Sequence, residues 1–129
     1  MGYVANMRFS EADNTSGDLI DAYGVDGILI GGRRYRQGLI VTPERIIAPW
    51  GPAQPADLTA EHLDALLACA PQVIVLGTGV SQIFPDARIY MKFMEQRIGF
   101  EVMDTGAACR TYNILMSEGR RVAAAFISG

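Results

Sequence analysis

Between residues 73 and 127 the chain alternates short apolar runs with amphipathic ones, and this alternation restricts the fold more than any other feature. Val73, Ile74, Val75 and Leu76 form a wholly apolar run that ends at Gly77-Thr78-Gly79. A strand with no polar face must be covered on both sides, as in a buried parallel position. Ahead of it, Thr59 is a good N-cap, and Leu63, Leu66, Leu67 and Ala70 recur at helical spacing. A helix is therefore expected to about Ala70, where Pro71 stops it. After the strand, Pro85 suits the first turn of a second helix, with Ala87, Tyr90, Met91, Met94 and Ile98 as its apolar face and Gly99 as its cap. Residues 100–103 read as a second strand. Asp104 or Thr105 caps a third helix to about Ser117, and residues 122–127 form a last apolar strand. Such a βαβαβ order implies a largely parallel sheet with right-handed crossovers.

The preceding half reads differently. Residues 1–18 are polar, with a loop signal at Asn14-Thr15-Ser16-Gly17 and a short strand expected over residues 7–9. Residues 19–50 read as β structure. Gly27-Ile28-Leu29-Ile30 is a strand, Gly31-Gly32-Arg33-Arg34 a turn, residues 35–41 a returning strand, Thr42-Pro43-Glu44-Arg45 a turn, and Ile46-Ile47 a further strand. Gly51-Pro52-Ala53-Gln54-Pro55 connects this part to the α/β part, residues 57–127. The expectation is a single α/β domain of three layers, with a central mixed sheet, a hairpin-rich N-terminal half and a βαβαβ C-terminal half.

Composition excludes several classes. The 129 residues suffice for one core, and a hydrophobic fraction of 50% against 19% charged belongs to a folded globular chain. A net charge of −3 is no nucleic-acid footprint. The start lacks the basic and apolar regions of a signal peptide, and no apolar run approaches the roughly 20 residues of a membrane span. A cytoplasmic protein is expected, for which the Asn14-Thr15-Ser16 sequon carries no meaning. Two cysteines, Cys69 and Cys109, and one histidine, His62, cannot supply a zinc site, and no cofactor, metal or disulfide is expected.

Two segments are candidates for binding a ligand or partner. The loop Gly77-Thr78-Gly79 follows a strand, where open α/β sheets receive ligands. It is an incomplete dinucleotide fingerprint, since Gln82 holds the third glycine position and no Walker lysine follows. The plainer alternative is that the glycines only shape a turn. The second is the start of the third helix. Thr105 and Gly106 lie at its positive end, and Arg110, Asn113 and Ser117 share one stripe opposite Ala108, Tyr112, Leu115 and Met116. In a parallel sheet both segments lie at one edge and can share an anion-friendly crevice. The alternative is a capped helix with a solvated face. Cys109 lacks a nearby base and reads as a small core residue, and His62 as an exposed or capping one. Arg33-Arg34-Tyr35-Arg36 is a basic patch that reads as a solvated hairpin tip. No catalytic set is recognised, which weighs against an enzyme.

The strings Val75-Leu76-Gly77-Thr78-Gly79, Gly99-Phe100-Glu101-Val102-Met103-Asp104-Thr105, Ala107-Ala108-Cys109-Arg110-Thr111-Tyr112-Asn113-Ile114-Leu115 and Glu118-Gly119-Arg120-Arg121-Val122-Ala123-Ala124-Ala125 resemble one family. It is the small domain-of-unknown-function family that includes mitochondrial respiratory complex I assembly factor 3 and uncharacterised bacterial relatives. The resemblance runs from about Gly24 onward and is most specific from Met103 to Leu115. It implies a three-layer α/β fold with a mixed sheet and no established catalytic residues to transfer. It also implies protein partners, such as respiratory-complex subunits or another assembly factor, with peripheral membrane association compatible and the oligomeric state open. The chain shows no presequence of the mitochondrial kind, which suits a bacterial cytoplasmic protein. Under this expectation Arg110, Asn113 and the Arg33 segment are contact surface, with Trp50 and Tyr35 if exposed. The other expectation is a small-molecule binder or enzyme, taking a phosphate or carboxylate in the crevice near Gly77–Gly79 and Thr105–Arg110.

Overall fold

The computed structural model of the chain describes residues 6–8 and 19–127. Strands β1 (Asn6–Arg8), β2 (Ile20–Gly24), β3 (Gly27–Ile30) and β4 (Arg33–Tyr35) form an antiparallel sheet in sequential order. The strand expected over residues 7–9 is this β1; Phe9 and the Asn14–Gly17 loop signal lie outside the described residues. Gly31 and Gly32 form the turn between β3 and β4, both with positive φ (58° and 83°), as a two-residue hairpin loop demands. The arginines expected in that turn sit in β4 itself, where Arg33 pairs Ile30 and Arg34 pairs Leu29.

The chain then changes sheets. The return expected over residues 35–41 is two strands: β4 stays in the small sheet, while β5 (Leu39–Val41) enters a second one. Gly38 makes the crossing possible, because its Cα lies against the carbonyl oxygens of Trp50 and Phe126 and a Cβ would overlap both. The Thr42 turn is as expected. Its N–H donates to the Arg45 carbonyl at 2.9 Å, and its hydroxyl accepts from Glu44 and Arg45 N–H at 3.2 and 3.0 Å. Strand β6 (Ile46–Ile47) follows.

The α/β part is built by α1 (Ala60–Leu67), β7 (Val73–Gly77), α2 (Ala87–Glu95), β8 (Gly99–Met103), α3 (Thr105–Ser117) and β9 (Val122–Phe126). The second sheet has the order β6-β5-β9-β7-β8. β9 runs parallel to β7 and antiparallel to β5, and β8 runs parallel to β7. This mixed sheet is the middle layer. On one face Ile40, Ile74, Leu76, Ala123 and Ala125 pack beneath α1 and α2. On the other, Leu39, Val41, Val75, Ala124 and Phe126 pack beneath α3 and the small sheet. Every residue of β7 and β9 is buried, which accounts for their unbroken apolar sequences.

Helix details differ from the periodicity. α1 stops at Leu67, and Ala70, placed on the core stripe by its spacing, is exposed with φ 51° in a left-handed turn before Pro71. His62 caps its N-terminus: Thr59 N–H donates to His62 Nδ1 at 2.9 Å, completing a capping box in which histidine stands where glutamate is usual. Trp50 belongs to the core rather than the surface, with 7% of its surface exposed and Nε1 donating to the His62 carbonyl at 3.1 Å. The largest departure is α2. It buries Ile89 and Phe93, half-buries Tyr90, and leaves Met91 and Met94 exposed. The nine residues carry two apolar stripes, and the sheet has room for one; the aromatic and β-branched stripe fills it.

Gly38→Ala is expected to destabilise the fold by about 2 kcal/mol or more, because backbone rather than flexible side chain occupies the Cβ position. Gly119→Ala, at φ 83° with open space around it, should cost only about 1 kcal/mol. Urea denaturation of both variants measures the difference.

Candidate functional site

The two candidate segments do meet at one sheet edge, and they are tied to each other by reciprocal hydrogen bonds. Gly79 N–H donates to Thr105 Oγ1 at 2.9 Å, and Thr105 N–H donates to the Gly79 carbonyl at 2.8 Å. Gly79 holds φ 103°, a conformation open to glycine. Gly77 is small for a packing reason, since a Cβ there would press on the Phe126 ring and the Ala108 methyl. Thr78 is buried; its hydroxyl donates to the Ser81 carbonyl at 2.6 Å and accepts from Ile83 N–H at 3.0 Å. The loop's polar groups are thus largely engaged within the protein.

The same holds at the start of α3. Asp104 is the N-cap, its Oδ1 accepting from Ala107 N–H at 2.8 Å, so a carboxylate already occupies the positive end of the helix. The small sheet docks against part of the polar stripe, at Arg110 and Asn113, while Ser117 stays exposed. Asn113 accepts from Ile20 N–H through Oδ1 and donates to the Ile20 carbonyl through Nδ2, both at 2.9 Å. Its amide stands in for a strand neighbour beyond the reach of β1, whose pairing with β2 covers Ala22 to Gly24. Gly106 lies against the Tyr23 ring, which a Cβ would overlap, and exposed Arg110 donates through Nη1 to the Tyr23 hydroxyl at 3.1 Å.

Beside these loops lies a cleft of about 850 Å³, walled by the β2–β3 turn, the crossing before β5, and the Gly79 and Thr105 loops. Of the six residues named from sequence, Gly79 and Thr105 line it. Gly77 and Thr78 are buried beneath, Arg110 touches the Tyr23 wall, and Asn113 is bound to β2. The cleft's charges are Asp104 and an exposed Asp26–Arg36 pair at 3.9 Å. With Asp104 already capping α3, this crevice offers an anion little.

Cys109 is fully buried, and burial pushes its thiol up to about 12. It belongs to the core beneath α3, while His62 sits on α1 across the central sheet, so the two cannot form a nucleophile–base pair. Among the described residues no group of three His, Cys, Asp or Glu side chains is placed to hold a metal. On β4 the Arg33 guanidinium stacks over Tyr35 at 5.3 Å from the ring centre, and a shallower depression of about 420 Å³ adjoins the arginines.

Residues 20–127 match a family described as "Protein of unknown function (DUF498/DUF598)". The chain belongs to this family. It is similar to the NADH dehydrogenase [ubiquinone] 1 alpha subcomplex assembly factor 3 of Xenopus tropicalis, 34% identical over 91% of the chain. The chain spans 64% of that relative's length. A crystal structure from Bordetella parapertussis superposes with a TM-score of 0.81 at 37% identity, covering 89% of this chain and 98% of that one. A Bordetella pertussis protein described as an Mth938-like domain superposes with a TM-score of 0.78 at 30% identity, covering 95% of this chain and 92% of that one.

Within this DUF498/DUF598 fold, the surface that sequence reasoning passed over lies on α2 and the loop before it. Ile83, Phe84, Met91 and Met94 are exposed by 47%, 65%, 56% and 71%. The signal was available: Ala87, Met91 and Met94 share one helical stripe and Ile89 and Phe93 another. Beside Met94 on the helix, Tyr90 packs edge-on against Phe100 of β8 at 5.0 Å, its hydroxyl buried without a hydrogen-bond partner among the described residues. Burial, and to a lesser degree the Glu101 carboxylate, raise the Tyr90 hydroxyl above its ordinary 10.0.

Asn113→Ala should cost about 2–4 kcal/mol, because it strands both backbone groups of Ile20. Urea denaturation and faster hydrogen exchange at the Ile20 amide report it. For Cys109, the unfolded chain releases its proton above 9.0 while the folded chain keeps it, so its contribution to stability is present below 9.0 and lost as pH rises toward about 12. Mass spectrometry after brief alkylation at neutral pH should find half-buried Cys69 modified and Cys109 intact in the folded protein.

Proposed function

We propose that this protein is a non-catalytic interaction protein that assists assembly of a respiratory NADH:quinone oxidoreductase. The observation that carries the reading is the similarity to proteins named as assembly factors of that complex across most of this chain. Two structural facts support it. The groups that sequence reasoning offered for chemistry are engaged in packing and capping, as at Cys109, His62, Asn113 and Thr105. Among the described residues, four of the exposed large apolar side chains, Ile83, Phe84, Met91 and Met94, lie on α2 and its preceding loop, a surface of the kind that binds protein. Its partners are then subunits of the complex or another assembly factor, met at the membrane surface; among the described residues no helix is long and apolar enough to cross a membrane.

Affinity capture of the tagged full chain from its native cells, with membranes solubilised mildly, tests the reading. Subunits of the oxidoreductase or a co-factor of its assembly should be recovered, and loss of the gene should lower the amount of assembled complex on native gels. Recovery of neither in several growth conditions, with normal complex in the deletion strain, overturns it.

A further inference from the structure

Strand β8 is the outer strand of the central sheet, and among the described residues its far side is unpaired. The direction of its backbone groups follows from two bonds. Gly99 N–H donates to the Gln72 carbonyl at 3.0 Å, and the Met103 carbonyl accepts from Thr78 N–H at 3.0 Å. Gly99, Glu101 and Met103 therefore face β7, and by the two-residue alternation of a strand Phe100 and Val102 present their N–H and C=O groups outward. The Val102 carbonyl is met by the Gln82 amide at 2.9 Å. For the Phe100 pair and the Val102 N–H, no protein partner exists among the described residues.

This open edge adjoins the Tyr90 flank of α2. Tyr90 and Phe93 both pack on the Phe100 ring, at 5.0 and 4.8 Å between ring centres, so α2 lies over β8. Tyr90 is on the flank of α2 away from buried Ile89, and Met94, four residues on, continues that flank. The Gln82 bond brings the loop carrying exposed Ile83 and Phe84 to the same edge. Backbone donors and acceptors in a row can be satisfied by another extended chain, and an apolar shelf beside them suits that chain's side chains.

The charge at the middle of β8 selects the occupant. A second copy pairing antiparallel over all five residues of β8 would set Glu101 directly opposite Glu101. A strand with a basic residue at that position meets the opposite charge, on a chain of net charge −3. We infer that the open edge of β8, with the Met91–Met94 side of α2, is a docking site for an extended segment of a partner protein that places a basic side chain against Glu101 and apolar side chains toward α2. This rests on the interaction-protein reading and gives it a location.

The test uses the full chain, isotope-labelled, titrated with synthetic peptides that alternate valine with lysine or valine with glutamate. The lysine peptide should perturb and protect the Phe100 and Val102 amides and shift the Met91 and Met94 methyls. It should bind about tenfold more tightly than the glutamate peptide, a preference that Glu101→Lys reverses. Methylating the peptide's amides on the side that would face β8 should abolish binding. Shifts confined to the 850 Å³ cleft, an unchanged preference in the Glu101→Lys variant, or concentration-dependent self-association that protects Phe100 and Val102 would each sink the proposal. In cells, capture by M91K/M94K, a surface change that leaves the fold intact, should fall with the peptide affinity. Undiminished capture of oxidoreductase subunits by this variant overturns the docking site and leaves the assembly role standing; edge binding of the peptide with no such subunits captured does the reverse.

Discussion

The pairing of β5 with β9 is the constraint on which the rest of the structure depends. Three register pairs, Leu39 with Phe126, Ile40 with Ala125 and Val41 with Ala124, join the hairpin-rich half to the α/β half in one sheet. All six residues are essentially removed from solvent. Because β9 is paired on both sides and covered on both faces, it has no position that tolerates a polar group, and it reads Val-Ala-Ala-Ala-Phe. The alanines are small for a reason of space, as bulky neighbours crowd the sheet from above and below: Tyr112 and Met116 on one side, Leu66 and Phe93 on the other. Phe126, at the end of the ladder, fills the volume that Gly77 leaves open.

From that pairing follows the position of everything near the candidate cleft. The crossing at Gly38 must run close under the Trp50 and Phe126 carbonyls to deliver β5 beside β9, and this sets the small sheet against α3. Tyr23 then reaches Gly106 and Arg110, and Ile20 reaches Asn113. The residues that look functional in the sequence, a glycine pair, a helix start and a polar stripe, are the joinery between two sheets. Several of them make hydrogen bonds at 2.6–3.1 Å to other parts of the chain.

The C-terminal half was legible because its signals are local. A wholly apolar four-residue run, a cap and a stop fix each element, and parallel order then fixes the edge at which Gly79 and Thr105 meet. The N-terminal half was less so. Nothing in residues 35–41 says that the chain leaves one sheet for another at Gly38, since the reason is the backbone of Trp50 and Phe126, distant in sequence. Asn113 reads in the sequence as part of a stripe open to a ligand or partner, because helical spacing records which residues share a face, not what covers that face. On α2 two apolar stripes compete, and the choice depends on the shape of the sheet beneath: Phe93 can reach Phe100, so Met91 and Met94 are left outside.

That last outcome connects fold to function. A short helix with one apolar stripe spends it on the core, whereas α2 has a second to offer. Methionine suits such a surface because its unbranched side chain adapts to differing partners. The strand beneath carries the exposed Glu101 charge and the Gln82 amide on the Val102 carbonyl, features of the kind that guard edge strands in general. In the cleft, Gly79 and Thr105 bond to each other, whereas among the described residues the β8 edge has donors and acceptors left over. In a fold whose interior polar groups are so largely spent on joining its two sheets, the outer strand β8 keeps backbone groups that the described residues do not use.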